Sequence, residues 1–126
     1  MWLDFVSNPK EIADIYDEVP ALSDVTVTMM KITKNELSVF IELDSFPDHY
    51  PPDQKGNNTC NIELGFKNVD KVYFSGWEVD GRFTFKLSKV NSRVKMFGQS
   101  DRCTVSLICD EVSILSKGFY ITDNND

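Results

Sequence analysis

The stretch "VTVTMMKITKNELSVFIEL" (residues 25–43) decides the fold. Its apolar residues recur every second position, the period at which successive side chains point to opposite faces of a β-strand. In "VTVTMMKIT" (25–33) Val25, Val27 and Met29 fall on one face. In "LSVFIEL" (37–43) Leu37, Val39, Ile41 and Leu43 point inward, and "KNE" joins the two runs by a tight connection. Two antiparallel strands are the expected result.

The same period continues to the end of the chain. "CNIELGF" (60–66) alternates cleanly, and "VYFSGW" (72–77) follows it. The turn "EVDGR" then carries Asp80-Gly81, a strong hairpin signal. "FTFKL" (83–87), "VKMF" (94–97), "CTVSLIC" (103–109) and "VSIL" (112–115) complete about eight strands, with Asp110-Glu111 at an expected hairpin turn. "SKGFYITDNND" reads as a short last strand and a frayed acidic tail over 122–126. No helix separates these runs, and parallel pairing requires long crossovers, so the strands are expected to pair antiparallel. The predicted fold is mainly β: an antiparallel meander of about eight strands, spanning about residues 25–121 of a single domain (1–126). It curls into a sandwich or partly open barrel.

One helix precedes the sheet, expected over about residues 8–18. Asn8 is suited to an N-cap, Pro9 to the first helical position, and Glu11 stands three residues after the cap, as in a capping box. Ile12, Ile15 and Tyr16 recur at helical spacing until Pro20. A helix this short is stable only when packed on something larger. Trp2 and Phe5 stand ready to pin it.

Between the second and third strands lies "SFPDHYPPDQKGNN" (45–58), with three prolines and the only histidine of the chain. Loops of such length in compact domains tend to be functional or mobile.

The chain of 126 residues has thirteen basic and twenty acidic residues, a net charge of −7. Phosphate binding requires Lys and Arg to displace counterions, so nucleic acid is a poor partner. A basic protein is a better one, through complementary fields, although such charge also serves solubility. No apolar run reaches the roughly 20 residues that cross a bilayer, and the first residues lack the pattern of a signal peptide. The expected location is cytoplasmic, without a membrane partner. Composition leaves the oligomeric state open.

The sequence carries no catalytic signature, and no catalytic residue is assigned. Cys60, Cys103 and Cys109 each fall in phase with apolar neighbours and read as reduced core thiols. A Cys–His dyad would need one of them at the surface beside His49. Zinc needs four Cys or His ligands at paired spacings, which this chain lacks. Asp44, Asp48 and Asp53 crowd one loop, but at irregular spacing for calcium. No metal and no cofactor is expected. Asp14, Asp17 and Glu18, like Asp110-Glu111, read as solvated surface. Trp77, beside Gly76 at a strand end, either covers the core or anchors a partner; the core role is preferred, for it and for Trp2.

Trp2, Asn8, Ile12, Ile15-Tyr16, Pro20 and Leu22, then a strand pair, "FPDHYPP" (46–52), an alternating strand and "SGW" (75–77) come in an order that resembles the bacterial polymorphic-toxin immunity protein family numbered fifty. The resemblance spans nearly the whole chain. Where members carry a tryptophan soon after the proline pair, this chain reads "DQKGNN". The resemblance implies a cytoplasmic protein that binds a cognate toxin domain and blocks it, with no catalytic residues to transfer. The candidate partner-binding residues are Asp44, Phe46, Asp48, His49, Tyr50, Asp53 and Trp77. Prolines stiffen the loop that holds most of them and lower the entropy lost on ordering. A basic active-site cleft suits such a surface; the alternative is that Phe46 and the prolines merely cap the sheet. Two other functions compete: a small β-barrel carrying a hydrophobic ligand, and a hydrolase using His49 or paired carboxylates.

Overall fold

The computed structural model describes residues 1–77 and 81–122. Eight strands form in chain order: β1 (Val25–Ile32), β2 (Glu36–Glu42), β3 (Thr59–Lys67), β4 (Asp70–Gly76), β5 (Arg82–Val90), β6 (Arg93–Gln99), β7 (Cys103–Cys109) and β8 (Glu111–Tyr120). All strand pairs are antiparallel, as the lack of crossover helices predicts, and they make one open sheet in the order β4-β7-β6-β5-β1-β2-β3-β8. The sheet has two halves joined by one short seam, where Val25 and Thr26 of β1 pair with Phe83 and Arg82 of β5. Both halves bury their alternating faces in one core: Phe66, Ile62 and Leu64 from one, Phe83, Met96, Val105 and Leu107 from the other. β7 shows the period without interruption, every odd-numbered residue from Cys103 to Cys109 being buried.

The order is sequential within β1-β2-β3 and β5-β6-β7, and elsewhere it departs from the expected meander. β4 and β5 are not neighbours; β4 pairs with β7 instead. The strands on either side of Asp80-Gly81 therefore do not form the hairpin that this dipeptide suggests; residues 78–80 of that turn lie outside the described residues, as do 123–126 of the expected acidic tail. β7 and β8 likewise do not pair, because β8 adds to β3. Asp110 marks a crossing between the halves, where its N–H donates to the Lys67 carbonyl (2.9 Å) and its carboxylate accepts from Arg93 Nε (2.8 Å). "SKGFY" is no separate strand: β8 continues through it.

Within β1 the expected face fails after Val27. A bulge between Val27 and Met29 adds a residue and reverses the alternation, so Met29 is half exposed and Met30 packs inward.

The N-terminal helix is shorter than its sequence suggests. A 3₁₀ turn (Trp2–Phe5) precedes a single α-helical turn, α1 (Lys10–Ala13). Asn8 does not cap it. Its side-chain amide instead docks on β8, donating from Nδ2 to the Ile114 carbonyl and accepting at Oδ1 from the Ile114 N–H, both at 2.8 Å. Glu11 faces Lys117 rather than closing a capping box (3.4 Å). The apolar spacing was nonetheless right, since Ile12 and Tyr16 are buried. Trp2 is buried as preferred, its Nε1 donating to the Pro20 carbonyl (2.9 Å). Val6 makes an isolated parallel bridge to Val112, so this segment covers part of the β8 edge.

Replacing Asn8 by Ala strands both polar groups of Ile114 in a half-buried site. The expected cost is about 1–3 kcal/mol, read as a lower urea midpoint at unchanged m-value.

Candidate functional site

The connection from β2 to β3 is long, and the structure shows what holds it. Leu43 and Pro47 are buried, and Phe46 packs against the core, edge-on to Tyr50 (ring centroids 5.1 Å) and to Phe119 (5.9 Å). Four hydrogen bonds then tie the loop to residues 15–17. Tyr16 donates its hydroxyl to the Ser45 carbonyl (2.5 Å), and the Asp17 N–H donates to Asp48 Oδ2 (2.8 Å). The His49 N–H donates to the Ile15 carbonyl (3.0 Å), and His49 Nε2 meets Asp17 Oδ1 at 2.6 Å. Beyond a 3₁₀ turn (Pro52–Gln54), Asn58 bonds to the end of β8 and to Thr122. Phe46 and Pro47 thus cap the core, while Asp48, His49, Tyr50 and Asp53 point to solvent. Of the prolines only Pro47 shares the capping role; Pro51 and Pro52 are exposed.

The loop also meets a second acidic segment. Residues 14–24 and 42–53 hold eight carboxylates and no Lys or Arg. Two open grooves flank Asp44. One, of about 600 Å³, is lined by Glu18, Asp44, Phe46 and Asp48; the other, of about 440 Å³, by Asp24, Glu42, Asp44, Asn58 and Arg82. Arg82 grips Asp24 through Nε (3.2 Å) and a terminal nitrogen (3.1 Å), and this holds the Asp24 carboxyl below the usual range. Glu42 accepts the Tyr120 hydroxyl (2.7 Å). Glu18 and Asp44 enter no ion pair among the described residues. At the other end of the strands the balance reverses: residues 31–36, 67–71, 89–95 and 110–111 carry seven Lys or Arg against Glu36, Asp70, Asp110 and Glu111.

The structure thus brings Asp44, Phe46 and Asp48 into one groove, with His49 and Tyr50 on the same loop. Asp53 lies farther along, on the 3₁₀ turn. Trp77 stands apart and is 71% exposed, which overturns the core reading. It ends an edge strand whose residues are exposed apart from Phe74, and it sits at the lip of an apolar crevice of about 160 Å³ with Val27, Met29, Met30 and Phe74. Sequence reading set Glu18 and its neighbours aside as solvated surface; the missed signal was that two segments free of Lys and Arg both lead into the same loop.

Little here supports catalysis. Cys60, Cys103 and Cys109 are buried reduced thiols, and burial pushes Cys60 up and Cys109 up to about 11. His49 is exposed and its partner is Asp17, not a thiol. Asp110 is occupied by Arg93 and Asn68. Among the described residues no three His, Cys, Asp or Glu side chains converge as metal ligands, and no helix is long and apolar enough to cross a membrane.

The hydrogen bond that His49 donates to the Asp17 carboxylate raises the His49 pKa above its ordinary 6.5. A raised folded-state pKa means that the pair's contribution to loop docking is complete below 6.5 and fades as pH climbs through the higher folded value. Protection of the amides in residues 46–50, taken relative to the base-catalysed rate at each pH, should therefore fall across that window. Asp17→Asn should remove this fall, and an NMR titration of His49 in both proteins checks it.

No curated protein and no solved structure matches the chain. A family model does: Immunity protein 50, over residues 8–120. The match takes in Asn8, residues 15–17, the loop and all eight strands, in agreement with the resemblance read from the sequence. The chain belongs to the immunity protein 50 family.

Proposed function

We propose that this protein neutralises a cognate bacterial toxin domain by steric and electrostatic occlusion, acting in the cytoplasm without chemistry of its own. Family membership carries the immunity role and implies a toxin as the partner. The mechanism rests on one observation: the loop bearing Asp44, Asp48, His49, Tyr50 and Asp53 is fixed in advance by its bonds to residues 15–17. A surface ordered before encounter loses little entropy on binding. Glu18, Asp44 and Asp48, which enter no ion pair among the described residues, favour a toxin with a basic surface, such as a cleft that itself holds an anionic substrate.

A carrier of hydrophobic ligands is less well supported. Ligand sites enclose about 300–1,000 Å³, whereas the apolar crevice holds about 160 Å³, the volume of one large side chain.

The experiment is co-expression with the toxin domain encoded beside this gene. A complex that survives purification, and survival of cells that make both proteins, are the expected results. Independent elution of the two proteins, together with unprotected cells, would refute the reading.

A further inference from the structure

The sheet has two edges, and they are treated differently. β8 is partly covered by Val6, by the Asn8 side chain and by the Lys117–Glu11 contact. β4 pairs only with β7, so its outward N–H and C=O groups lack a backbone partner among the described residues. Natural edges are usually blunted by charge, proline or cover. β4 has charge and a bulge only at its start, at Asp70 and Lys71, and beyond them it exposes Val72 (46%), Tyr73 (56%) and, just past its end, Trp77 (71%). The apolar crevice opens beside it. Across the crevice lies β1, which past Val27 has no partner on the β5 side among the described residues.

Charge then selects the occupant. Asp24, just before β1, lines with Val25 and Thr26 the groove that holds Glu42 and Asp44, and the next residues, Val27–Met30, line the apolar crevice. An acidic site and an apolar site follow one another on one strand. We infer that this strip, with the edge of β4, receives an extended segment of the toxin carrying a large apolar side chain for the crevice and a Lys or Arg for the Asp44 groove. The bulge leaves Thr26 and Met29, which pair with Glu42 and Phe40, two ladder positions apart, so at about 3.3 Å per residue the two anchors should stand about two residues apart, on one face of the partner segment. The crevice volume of 160 Å³ fits one such side chain. Main-chain bonds to β4 would supply affinity and the two pockets specificity, as in other strand additions.

The inference rests on the toxin-binding function and adds a place on the molecule to it. The test uses the full chain and the toxin domain encoded beside it. Hydrogen exchange on the wild-type complex should slow the amides of β4, and Trp77→Ala should weaken binding by about 30-fold or more, as truncation of a hot-spot aromatic does. Trp77 is exposed, so the variant should keep the wild-type unfolding midpoint; the exchange measurement needs no variant. Tight wild-type binding with β4 unprotected, or with Trp77→Ala at full affinity, overturns the inference and leaves the function standing. A toxin that does not bind the wild-type protein overturns both. A dimer of this chain that Trp77→Ala converts to monomers would give the edge to a second copy and overturn the inference also.

Discussion

Replacing Gly76 by Ala is expected to cost about 2–6 kcal/mol, among the largest effects of any single methyl group in this protein. Two contributions add. Gly76 has φ +79°, a conformation that costs an L-residue about 1–3 kcal/mol. A Cβ there would also overlap the carbonyl oxygen of Arg102, and backbone cannot yield as a side-chain end does. Relieving such overpacking costs a further 1–3 kcal/mol or so. Gly76 pairs with Cys103, so the relief must move β4 away from β7 at the point where Trp77 begins. Gly56→Ala separates the two contributions. Its φ is +96°, but its Cβ would meet nothing within 4 Å, so only the backbone cost of about 1–2 kcal/mol should appear. Urea unfolding of both variants checks the difference; equal losses would mean that the close approach of β4 to β7 contributes nothing.

The second large effect concerns encounter with the toxin. Changing Glu18 to Gln together with Asp44→Asn and Asp48→Asn should slow association by about 10–100-fold at low salt, because complementary fields raise on-rates by 10–10³. The Asn at 48 can still accept from the Asp17 N–H, so the loop should keep its shape. Screening shortens the reach of exposed charge from about 10 Å at 0.1 M salt to about 3 Å at 1 M. The triple variant and the wild type should therefore converge as salt rises. Neutralising Lys89 and Lys95, at the opposite end, should leave the rate unchanged or raise it. Stopped-flow measurements across ionic strength decide the matter; a wild-type rate indifferent to salt would detach the charge from recognition.

Strands were legible wherever alternation is strict, as in "CTVSLIC", because period two admits one burial pattern. The β1 bulge was not, since Met29 and Met30 are both apolar and either satisfies the inner face. Pairing across distance left no local trace. Nothing within "VYFSGW" says that it joins β7, and the Asp80-Gly81 signal pointed to the wrong neighbour. Asn8 illustrates the same limit: its amide serves a helix cap and a strand edge equally well, and only the position of β8 chooses. The loop was visible as a candidate site from its prolines and aromatics. Its second acidic wall, at Glu18, depends on where residues 15–17 dock, which only the folded chain reveals. Trp77 was misread because a tryptophan beside glycine fits a core end and an exposed lip alike; the edge position of β4 decides for the lip.

Covering a partner and transforming one differ in stoichiometry, and a titration separates them. With toxin activity followed against increasing amounts of this protein, inhibition should be immediate, saturate at one copy per toxin, and reverse on separation, the toxin mass unchanged. Inhibition by a small fraction of a molar equivalent, deepening with time and leaving a toxin of altered mass, would contradict the account.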